Sequence, residues 1–335
     1  MTRATVLGGG SWGTTFSAVL QDAGTPVTLY GRRREVIEAI DAAHENPFYL
    51  PDVRLPDTLR ATTDIAEALA AADIVVLAVP AQTLRASLVQ WAPYVRDDAV
   101  LVSLMKGVEL GTSKRMSEVI REITDASADR VAVVSGPNLA GEIAGRQPTA
   151  TVVACANEET ARELQQACHT SYFRPYTNTD VVGCELGGAV KNVIALAVGI
   201  ADGMGLGDNA KASLITRGLA ETARLGAALG ADQHTFAGLA GLGDLVATCT
   251  SPLSRNRTFG VNLGRGMSLD DVIAATRQTA EGVQSCEAIL ELGRKHDVDM
   301  PITEHVAAVV HDGMPPRETV ASLMSRTAKP ERHGL

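Results

Sequence analysis

Short apolar runs rich in β-branched residues alternate with helix-like segments over the first half of the chain. Continuous runs of this kind are typical of strands buried on both faces of a parallel sheet. They lie at residues 2–8, 25–31, 73–80, 99–107, 130–138 and 149–156. One helical segment, 14–23, follows the first run and is closed by Gly24. The pattern predicts an N-terminal α/β domain of the Rossmann type with a mostly parallel sheet.

From about residue 180 the strand pattern stops and helical periodicity continues. The predicted helices are 184–202, 209–229, 233–240, 255–264, 268–277, 284–296 and 302–311. A chain of 335 residues also exceeds what one hydrophobic core usually organises. We therefore expect two domains: the Rossmann-type domain at 1–179, followed by an all-α C-terminal domain at 180–335.

The helix predicted within CELGGAVKNVIALAVGIADG (184–203) is apolar on almost all sides, so we expect it inside the protein. Lys191 and Asn192 nevertheless lie side by side in its middle. Burying an ammonium group without a partner is costly, which makes Lys191 a candidate functional residue. The alternative is a lysine with a buried stem whose charged end reaches water, which is common on helices.

A glycine motif follows the first predicted strand and opens the first helix. In GGGSWG, residues Gly8, Gly10 and Gly13 have the spacing G-x-G-x-x-G. In a strand–turn–helix context, the first glycine permits a tight turn and the second lets the backbone approach a pyrophosphate. The third lets helix and strand pack closely. The free N–H groups at the helix N-terminus complete a phosphate site. The motif favours a dinucleotide over a glycine-rich turn without a ligand.

The residues after the second strand refine the cofactor. A protein selective for NAD usually has Asp or Glu there, to hold the ribose 2′-hydroxyl. This chain has Arg32, Arg33 and Arg34 instead. Guanidinium groups suit a 2′-phosphate, and one of them can stack on the adenine. The sequence thus favours NADP(H), with NAD(H) also accepted, over a merely solvated basic run.

Two later strands end in polar, glycine-containing turns. One is MKG at Lys106, and the other is GPNLAGE at 136–142. Ligands of open α/β sheets lie beyond the carboxyl ends of the strands, so we expect both turns to face the cofactor cleft. The alternative for Lys106 is an ordinary surface lysine.

Composition narrows the class of protein. The formal net charge of −9 argues against a general nucleic-acid binder. The five cysteines are scattered and never in C-x-x-C spacing, which indicates buried thiols in a reducing compartment and no metal site. No signal peptide is predicted, and the apolar run at 193–200 is too short to span a bilayer. We expect a cytoplasmic protein.

Two polar clusters interrupt the helical half. The segment 238–260 has Asp244 in a glycine-rich turn, followed by Ser254, Arg255 and Asn256. Ser254 is a good N-cap, so a phosphate can bind the N–H groups and side chains at the start of this helix. A well-capped helix without a ligand is the alternative. In the second cluster, TAEGVQS, Glu281 precedes a glycine.

Seven motifs in order resemble one family along nearly the whole chain. They are GGGSWG at 8–13, MKG at 105–107, SGP at 135–137, GGAVKN at 187–192, GLGDL at 241–245, SRN at 254–256 and AEGV at 280–283. The sequence is similar to the bacterial-type NAD(P)-dependent glycerol-3-phosphate dehydrogenases. The resemblance implies reversible reduction of dihydroxyacetone phosphate to sn-glycerol 3-phosphate, which feeds glycerophospholipid biosynthesis.

The resemblance also implies site residues. Lys191 is the catalytic residue that exchanges a proton with the substrate oxygen, because hydride delivery leaves negative charge there and no histidine lies in the matched motifs. Asp244 keeps Lys191 oriented. The implied substrate-binding residues are Lys106, Gly136, Asn138, Lys191, Asp244, Ser254, Arg255 and Asn256. The implied cofactor-binding residues are Gly8, Gly10, Ser11, Trp12, Gly13, Arg32, Arg33, Tyr49, Lys106, Ala140, Arg255, Thr279 and Glu281. Asn138 departs from the Ser or Thr that the family often has.

Two other functions remain open at this stage. A β-hydroxyacid or 6-phosphogluconate type dehydrogenase also joins a Rossmann domain to a helical one and uses a lysine. The SRN and GLGDL motifs favour the glycerol phosphate family over it. An inactive dinucleotide-sensing protein is the second alternative, although the chain retains the proton donor and the substrate cluster. The apolar helical domain suggests a homodimer.

Overall fold

The structure is a computed structural model that describes residues 2–275, 281–328, 330 and 331. The chain divides into two compact units. The first comprises Met1–Lys106 and Arg115–Cys184, and the second comprises Gly107–Lys114 and Glu185–Leu335. The domain bounds expected from the sequence, 1–179 and 180–335, stay a prediction. Nothing in the sequence pattern indicates that 107–114 belongs to the second unit.

The first unit is built on a twisted sheet. The strands of the described residues are β1 (Ala4–Leu7), β2 (Val27–Tyr30), β3 (Glu45–Asn46), β4 (Leu50–Arg54), β5 (Arg60–Thr62), β6 (Ile74–Leu77), β7 (Val100–Ser103), β8 (Val131–Ser135), β9 (Thr149–Cys155) and β10 (Phe173–Asn178). Eight of these described strands form one sheet in the order β5-β2-β1-β6-β7-β8-β9-β10, and β3 pairs with β4. All pairs in the large sheet are parallel except β8 with β9. The mostly parallel Rossmann-type sheet is confirmed.

The register aligns the carboxyl ends of the central strands. Leu7 pairs with both Tyr30 and Leu77, and Leu77 pairs with Ser103. The turns after β1, β2, β6 and β7 therefore share one edge of the sheet. The strand order reverses between β1 and β6, which is where ligands bind in this architecture.

Two strands of the sheet were missed from the sequence. Strand β5 has only three residues, RAT, and β10 carries Pro175 among exposed polar residues. Both lie at edges of the sheet, where a strand is covered less completely and proline is tolerated. Edge strands lack the continuous apolar run that marks the central ones.

Side chains alternate between two apolar clusters along the central strands. Val6, Val76 and Val102 belong to one cluster, whereas Leu7, Leu77 and Leu101 belong to the other. This alternation is the period of two expected of a strand with both faces covered. The helices that cover the sheet are α1 (Ser11–Asp22), α2 (Arg34–Glu38), α3 (Ile65–Leu69), α4 (Leu84–Trp91), α5 (Met116–Thr124), α6 (Ala140–Ala144) and α7 (Glu158–Cys168).

From Glu185 on, the described residues of the second unit form helices and no strand, as the sequence predicts. After α8 (Val181–Gly203) come α9 (Asp208–Ala228), α10 (Gln233–Ala237), α11 (Asp244–Thr250), α12 (Arg255–Gly264), α13 (Leu269–Ala275), α14 (Glu281–Lys295), α15 (Pro301–His311) and α16 (Pro316–Met324). Asp244 was expected in a glycine-rich turn, which is wrong. A π-helical turn over Leu239–Gly243 leads directly into α11, so Asp244 is its first residue.

Helix α8 corrects a second expectation. By length and composition it could cross a membrane, because 23 residues with a mean hydropathy of 1.6 pass that test. The apolar run expected at 193–200 is only the C-terminal part of this helix, which begins at Val181. In the structure, 89% of the apolar window is buried within the protein, as in a core helix. Burial inside the fold accounts for its hydrophobicity.

Helices α8 and α12 cross at very short distance. A Cβ atom on Gly199 would lie 2.2 Å from the carbonyl oxygen of Arg257, and one on Gly203 would lie 2.2 Å from that of Val261. The same holds in reverse for Gly260 and Gly264, which face the carbonyl oxygens of Leu196 and Ile200 at 2.3 and 2.2 Å. Glycines thus let the two backbones touch.

Candidate active site

The three glycines of the G-x-G-x-x-G motif have different surroundings. Gly8 has a φ of +135°, and a Cβ atom there would lie 2.2 Å from the carbonyl oxygen of Ala78. A Cβ atom on Gly13 would lie 2.0 Å from the carbonyl oxygen of Gly8. A Cβ atom on Gly10 would meet nothing within 4 Å. Gly8 and Gly13 are therefore required by the fold, whereas Gly10 leaves an open space for a ligand.

That open space lies at the N-terminus of α1. Gly10 is the N-cap residue of this 12-residue helix, and no side chain caps its first N–H groups. Uncapped N–H groups carry the positive end of the helix dipole and suit a phosphate. The location and the space together fit a pyrophosphate at the point where the strand order reverses.

Hydrogen bonds hold the β3–β4 hairpin against the glycine loop, residues 8–13. Asn46 is fully buried and donates hydrogen bonds from Nδ2 to the carbonyl oxygen of Gly9 at 3.1 Å and to Oγ1 of Thr14 at 2.9 Å. The Ser11 hydroxyl donates to the carbonyl oxygen of Tyr49 at 2.9 Å. These bonds hold Tyr49, an expected cofactor residue, beside the start of α1.

The arginines after β2 lie at the same edge of the sheet. Arg32 is exposed and forms no ion pair with any described residue. Arg33 pairs with Glu35, donates from NH1 to the Tyr49 hydroxyl at 3.3 Å, and places its guanidinium carbon 4.9 Å from the centre of the Phe48 ring. Cations above aromatic rings are held by the ring quadrupole. This cluster fits a 2′-phosphate or an adenine.

The turns after β7 and β8 approach each other. Lys106 donates from Nζ to the carbonyl oxygen of Gly136 at 2.9 Å, and Gly136 has a φ of +140°. The amide oxygen and nitrogen of the Asn138 side chain are buried, and neither has a hydrogen-bond partner among the described residues. Unpaired buried amides are rare in folded proteins, so Asn138 fits a ligand contact.

Two further residues that the sequence predicts to bind the cofactor also lie in the first unit. Trp12 packs its ring against Phe16 and Phe173, and its buried Nε1 has no hydrogen-bond partner within the described residues. Ala140 is the first residue of α6, and its carbonyl oxygen accepts a hydrogen bond from Thr15 of α1 at 3.3 Å. Trp12 therefore anchors α1, whose N-terminus is the candidate phosphate site.

In the second unit, Lys191 is buried and paired. Its Nζ atom donates to Oδ1 of Asp244 at 2.5 Å and to Oγ1 of Thr248 at 2.8 Å, and all three residues are buried. Asp244 and Thr248 are one turn apart on α11, and Thr248 also donates to Asp244 at 3.3 Å. Helix α8 can carry a buried ammonium group because the Asp244 carboxylate compensates its charge.

The neighbouring Asn192 points to a different helix. Its Oδ1 atom accepts a hydrogen bond from Nδ2 of Asn256 at 3.0 Å, and Oδ1 of Asn256 accepts from the backbone N–H of Gly282 at 2.9 Å. Successive residues of a helix project about 100° apart, so Lys191 and Asn192 reach α11 and α12 respectively. The amide chain connects α8, α12 and the start of α14.

Ser254 caps α12, as the sequence predicts, by accepting a hydrogen bond from the backbone N–H of Arg257 at 3.3 Å. Arg255, the next residue, is exposed. Glu281 is the first residue of α14. Thr279, an expected cofactor residue, lies outside the described residues. Ser254, Arg255 and Asn256 therefore stand together at the start of α12, the arrangement expected for a phosphate.

Metal ligands do not cluster in the described part of the chain: no group of three His, Cys, Asp or Glu side chains is placed to hold an ion. The five cysteines are buried and not joined in disulfides. The candidate groups are lysine, carboxylate, hydroxyl and amide side chains in the second unit and a dinucleotide cradle in the first.

Sequence reasoning missed three residues bonded to this site. Thr248 would have been found had the GLGDL segment been read as a helix, because it lies four residues after Asp244. Asn192 lies beside Lys191 in the sequence, but its bond to Asn256 joins residues 64 positions apart. Asn46 gave no signal, since a buried asparagine that clips a hairpin onto a loop is not visible from spacing.

Comparisons with known proteins find relatives along nearly the whole chain. The model of the family described as NAD-dependent glycerol-3-phosphate dehydrogenase N-terminus matches residues 3–161, and the model of the corresponding C-terminus matches residues 180–321. The glycerol-3-phosphate dehydrogenase (NAD(P)+) of Streptomyces griseus is 70% identical over 330 residues, which cover 98% of each chain. That of Thermobifida fusca is 64% identical over the full length of both chains.

A solved structure shows the same fold. The crystal structure of glycerol-3-phosphate dehydrogenase from Coxiella burnetii superposes with a TM-score of 0.92 at 37% identity, covering 97% of this chain and 99% of that one. With two family models along its length and relatives at 64% and 70% identity, the chain belongs to the NAD-dependent glycerol-3-phosphate dehydrogenase family.

Proposed function

We propose that this protein catalyses the reversible reduction of dihydroxyacetone phosphate to sn-glycerol 3-phosphate with NADPH or NADH. The observation that carries the proposal is the buried Lys191–Asp244–Thr248 cluster in a chain with an intact dinucleotide cradle. Family membership supports the same reaction. The product would serve glycerophospholipid biosynthesis.

The dinucleotide is assigned to the first unit, on the residues that fit it. Gly10 and the N-terminus of α1 would hold the pyrophosphate, and Arg32, Arg33 and Tyr49 would hold the adenosine end. When bound, the reduced nicotinamide supplies the hydride for the carbonyl carbon. The roles of Lys106, Gly136, Asn138 and Ala140 as further ligand contacts are part of the proposal. So are those of Gly8, Ser11, Trp12, Gly13, Arg255, Thr279 and Glu281.

Lys191 is assigned the proton transfer. An ammonium group has three N–H donors, and two of those of Lys191 are directed to Asp244 and Thr248. Within the described residues the third has no protein acceptor, so it is available to a substrate oxygen. Negative charge that develops on the carbonyl oxygen during reduction would be neutralised by this proton. Asp244 and Thr248 would fix the direction of the remaining N–H bond.

The phosphate of the substrate is assigned to the start of α12. The Ser254 hydroxyl accepts the capping N–H and can still donate its own proton, and the Asn256 amide retains one N–H beyond the bond to Asn192. Arg255 adds a positive charge. Binding the phosphate here would hold the carbonyl group at a fixed distance from Lys191 and so lower the entropic part of the barrier.

The direct test is the oxidation of NADPH and NADH by the purified protein, followed by the nicotinamide absorbance, with and without dihydroxyacetone phosphate. We expect oxidation to depend on this substrate. A panel of β-hydroxyacids and 6-phosphogluconate, assayed with NADP+ and NAD+, serves as the comparison. Activity on that panel but not on the phosphotriose pair would contradict the proposal, as would dinucleotide binding without any turnover.

A double variant distinguishes a catalytic role of Lys191 from a structural one. Replacing Lys191 alone would leave the Asp244 charge buried without a partner, at a cost of about 3–5 kcal/mol. The double variant Lys191→Met with Asp244→Asn removes both charges. We expect its kcat to fall by at least about 100-fold, since a positioned proton donor contributes that much or more. NADPH affinity and the thermal midpoint should change little, and a parallel loss of NADPH affinity would make the cluster structural.

Two properties remain predictions from the sequence. We propose a cytoplasmic location, which fits the burial of α8 within the fold and the five unpaired buried thiols. We also propose a homodimer, because the second unit exposes the apolar side chains of Leu242 just before α11, Val246 on it and Leu253 just after it.

A further inference from the structure

An acid, Glu35, directly follows the three arginines after β2. The usual position at the end of β2 is occupied by arginines, but Glu35, in the first turn of α2, turns back onto Arg33. Oε1 of Glu35 accepts from Nε of Arg33 at 2.9 Å and lies 2.9 Å from NH2 of the same guanidinium. One carboxylate therefore occupies one whole edge of the Arg33 fork.

The guanidinium is also held from other directions. NH1 donates to the Tyr49 hydroxyl at 3.3 Å, and the Phe48 ring lies under the guanidinium carbon. Of the five N–H donors of Arg33, two are taken by Glu35 and one by Tyr49, which leaves two for a ligand. The side chain is about half exposed, at 51%, so a ligand can reach it.

This cluster is connected to the pyrophosphate site. Tyr49 contacts Arg33 through its hydroxyl, and its backbone carbonyl accepts the Ser11 hydroxyl at 2.9 Å, at the start of α1. A dinucleotide whose pyrophosphate binds at α1 therefore presents its adenosine ribose toward the Arg33–Glu35 pair. The backbone N–H of Glu35 and the Arg33 guanidinium keep the pKa of Glu35 below its ordinary value, so the carboxylate is charged at neutral pH.

We propose that Glu35 sets the balance between NADP(H) and NAD(H) by competing with the ribose 2′-phosphate for Arg33. This inference rests on the proposed function. With NAD(H), the carboxylate stays on Arg33 and is available to accept the 2′-hydroxyl, the task of the acid in NAD-selective proteins. With NADP(H), the 2′-phosphate must share the guanidinium with Glu35, using the two remaining N–H donors, and bind against its negative charge. Arg33 alone would favour NADP(H), and Glu35 reduces that preference so that both are used.

The size of the effect follows from charge. A 2′-phosphate with two negative charges and a carboxylate with one, about 6 Å apart in water, repel enough for roughly a tenfold change in affinity. We expect Glu35→Gln, which removes the charge but keeps the shape, to tighten NADP+ binding by about that factor at low ionic strength. NAD+ binding should stay the same or weaken slightly.

The matched control is Glu38→Gln. Glu38 lies on the same helix, is similarly exposed at 67%, and pairs with Arg34 at 4.0 Å. It changes the net charge of α2 by the same amount without touching Arg33. Dissociation constants for NADP+, NAD+, adenosine 2′,5′-bisphosphate and adenosine 5′-monophosphate would be measured by titration calorimetry on wild type and both variants. The two mononucleotides isolate the contribution of the 2′-phosphate.

The proposal is supported if Glu35→Gln raises the ratio of the NAD+ to the NADP+ dissociation constant by roughly tenfold, with the mononucleotide pair shifting in parallel. Glu38→Gln should leave the ratio within about twofold. An unchanged ratio in Glu35→Gln, or an equal shift in Glu38→Gln, overturns the proposal while the proposed function stands. Failure of the wild type to bind either dinucleotide would overturn both.

Discussion

At the scale of single residues, the site depends on compensated burial. Lys191 and Asp244 are only 8% and 1% exposed, and their opposite charges neutralise each other in an apolar region. A buried pair of this kind adds little to stability, but breaking it is strongly destabilising. Its value is directional, because Asp244 and Thr248 together fix where the third N–H of Lys191 points.

Thr248 offers a test of that direction. In Thr248→Val the shape is kept and the hydrogen bond to Lys191 is lost, so the ammonium group gains freedom to turn away. We expect kcat to fall about tenfold, which corresponds to one hydrogen bond of about 1.4 kcal/mol, with NADPH affinity unchanged. Thr248→Ser retains the hydroxyl and should recover most of the loss. If the serine variant is no better than the valine variant, packing of the methyl group explains the effect instead.

At the scale of elements, the crossing of α8 and α12 sets the geometry of the second unit. Helix α8 carries Lys191, and α12 begins at the proposed phosphate site. Because Gly199, Gly203, Gly260 and Gly264 bring the backbones into contact, the two groups are held at a fixed spacing by main chain rather than by flexible side chains. Asn192 and Asn256 bridge the same pair of helices.

Adding one methyl group should disturb this crossing. In Gly199→Ala the new Cβ would lie 2.2 Å from the carbonyl oxygen of Arg257, so α12 must move away. We expect the free energy of unfolding to fall by about 2–3 kcal/mol, as for overpacked cores, and KM for the phosphotriose to rise. Gly141→Ala in α6 is the control, since its Cβ meets nothing within 4 Å. Urea unfolding followed by circular dichroism measures the stability of both variants. Equal unfolding midpoints for Gly199→Ala and Gly141→Ala would refute the role of the crossing.

The sequence also gives no sign of a contact between α9 and α15. Glu221 of α9 is fully buried and accepts hydrogen bonds from the backbone N–H groups of Ile302 and Thr303, so it caps α15 from another helix. Burial raises the pKa of this carboxyl above its ordinary value. Nothing in the local sequence of α15 announces its cap, because the partner lies about eighty residues earlier in the chain.

At the scale of the whole molecule, the reactivity of the buried thiols shows whether each of the two units stays folded. Burial raises the pKa of Cys168, Cys249 and Cys286 to about 12. Only the thiolate reacts, so these groups are protected at neutral pH both by lack of access and by protonation. Cys168 lies in the first unit, and the other two lie in the second.

Thiol titration with Ellman's reagent tests this state. Since the three pKa values lie well above 8, the thiolate fraction at pH 8 is about one part in ten thousand, and it rises about tenfold per pH unit. We expect almost no reaction of the native protein at pH 8 and five reactive thiols per chain after unfolding without reductant. Fewer than five thiols in the unfolded chain would indicate a disulfide, and rapid native reaction would indicate that a unit opens readily.

The sequence by itself determined the architecture and most of the site chemistry. Continuous apolar runs are visible because a strand covered on both faces has no polar face, and the capped start of α12 is visible because a cap bonds to its own helix. The glycine motif, Lys191 and the arginines after β2 are likewise local signals. All of these depend on residues a few positions apart, where chain geometry alone fixes the relation.

Only the tertiary structure decided which of these groups meet. Thr248 at Lys191, Asn46 at the glycine loop and the contact of α8 with α12 each depend on how separate elements turn and approach. The exposed edge strands and the helical state of Asp244 were hidden for the same reason. Spacing along the chain records the period of an element, but the direction of a side chain toward another element is set by packing, which no local pattern contains.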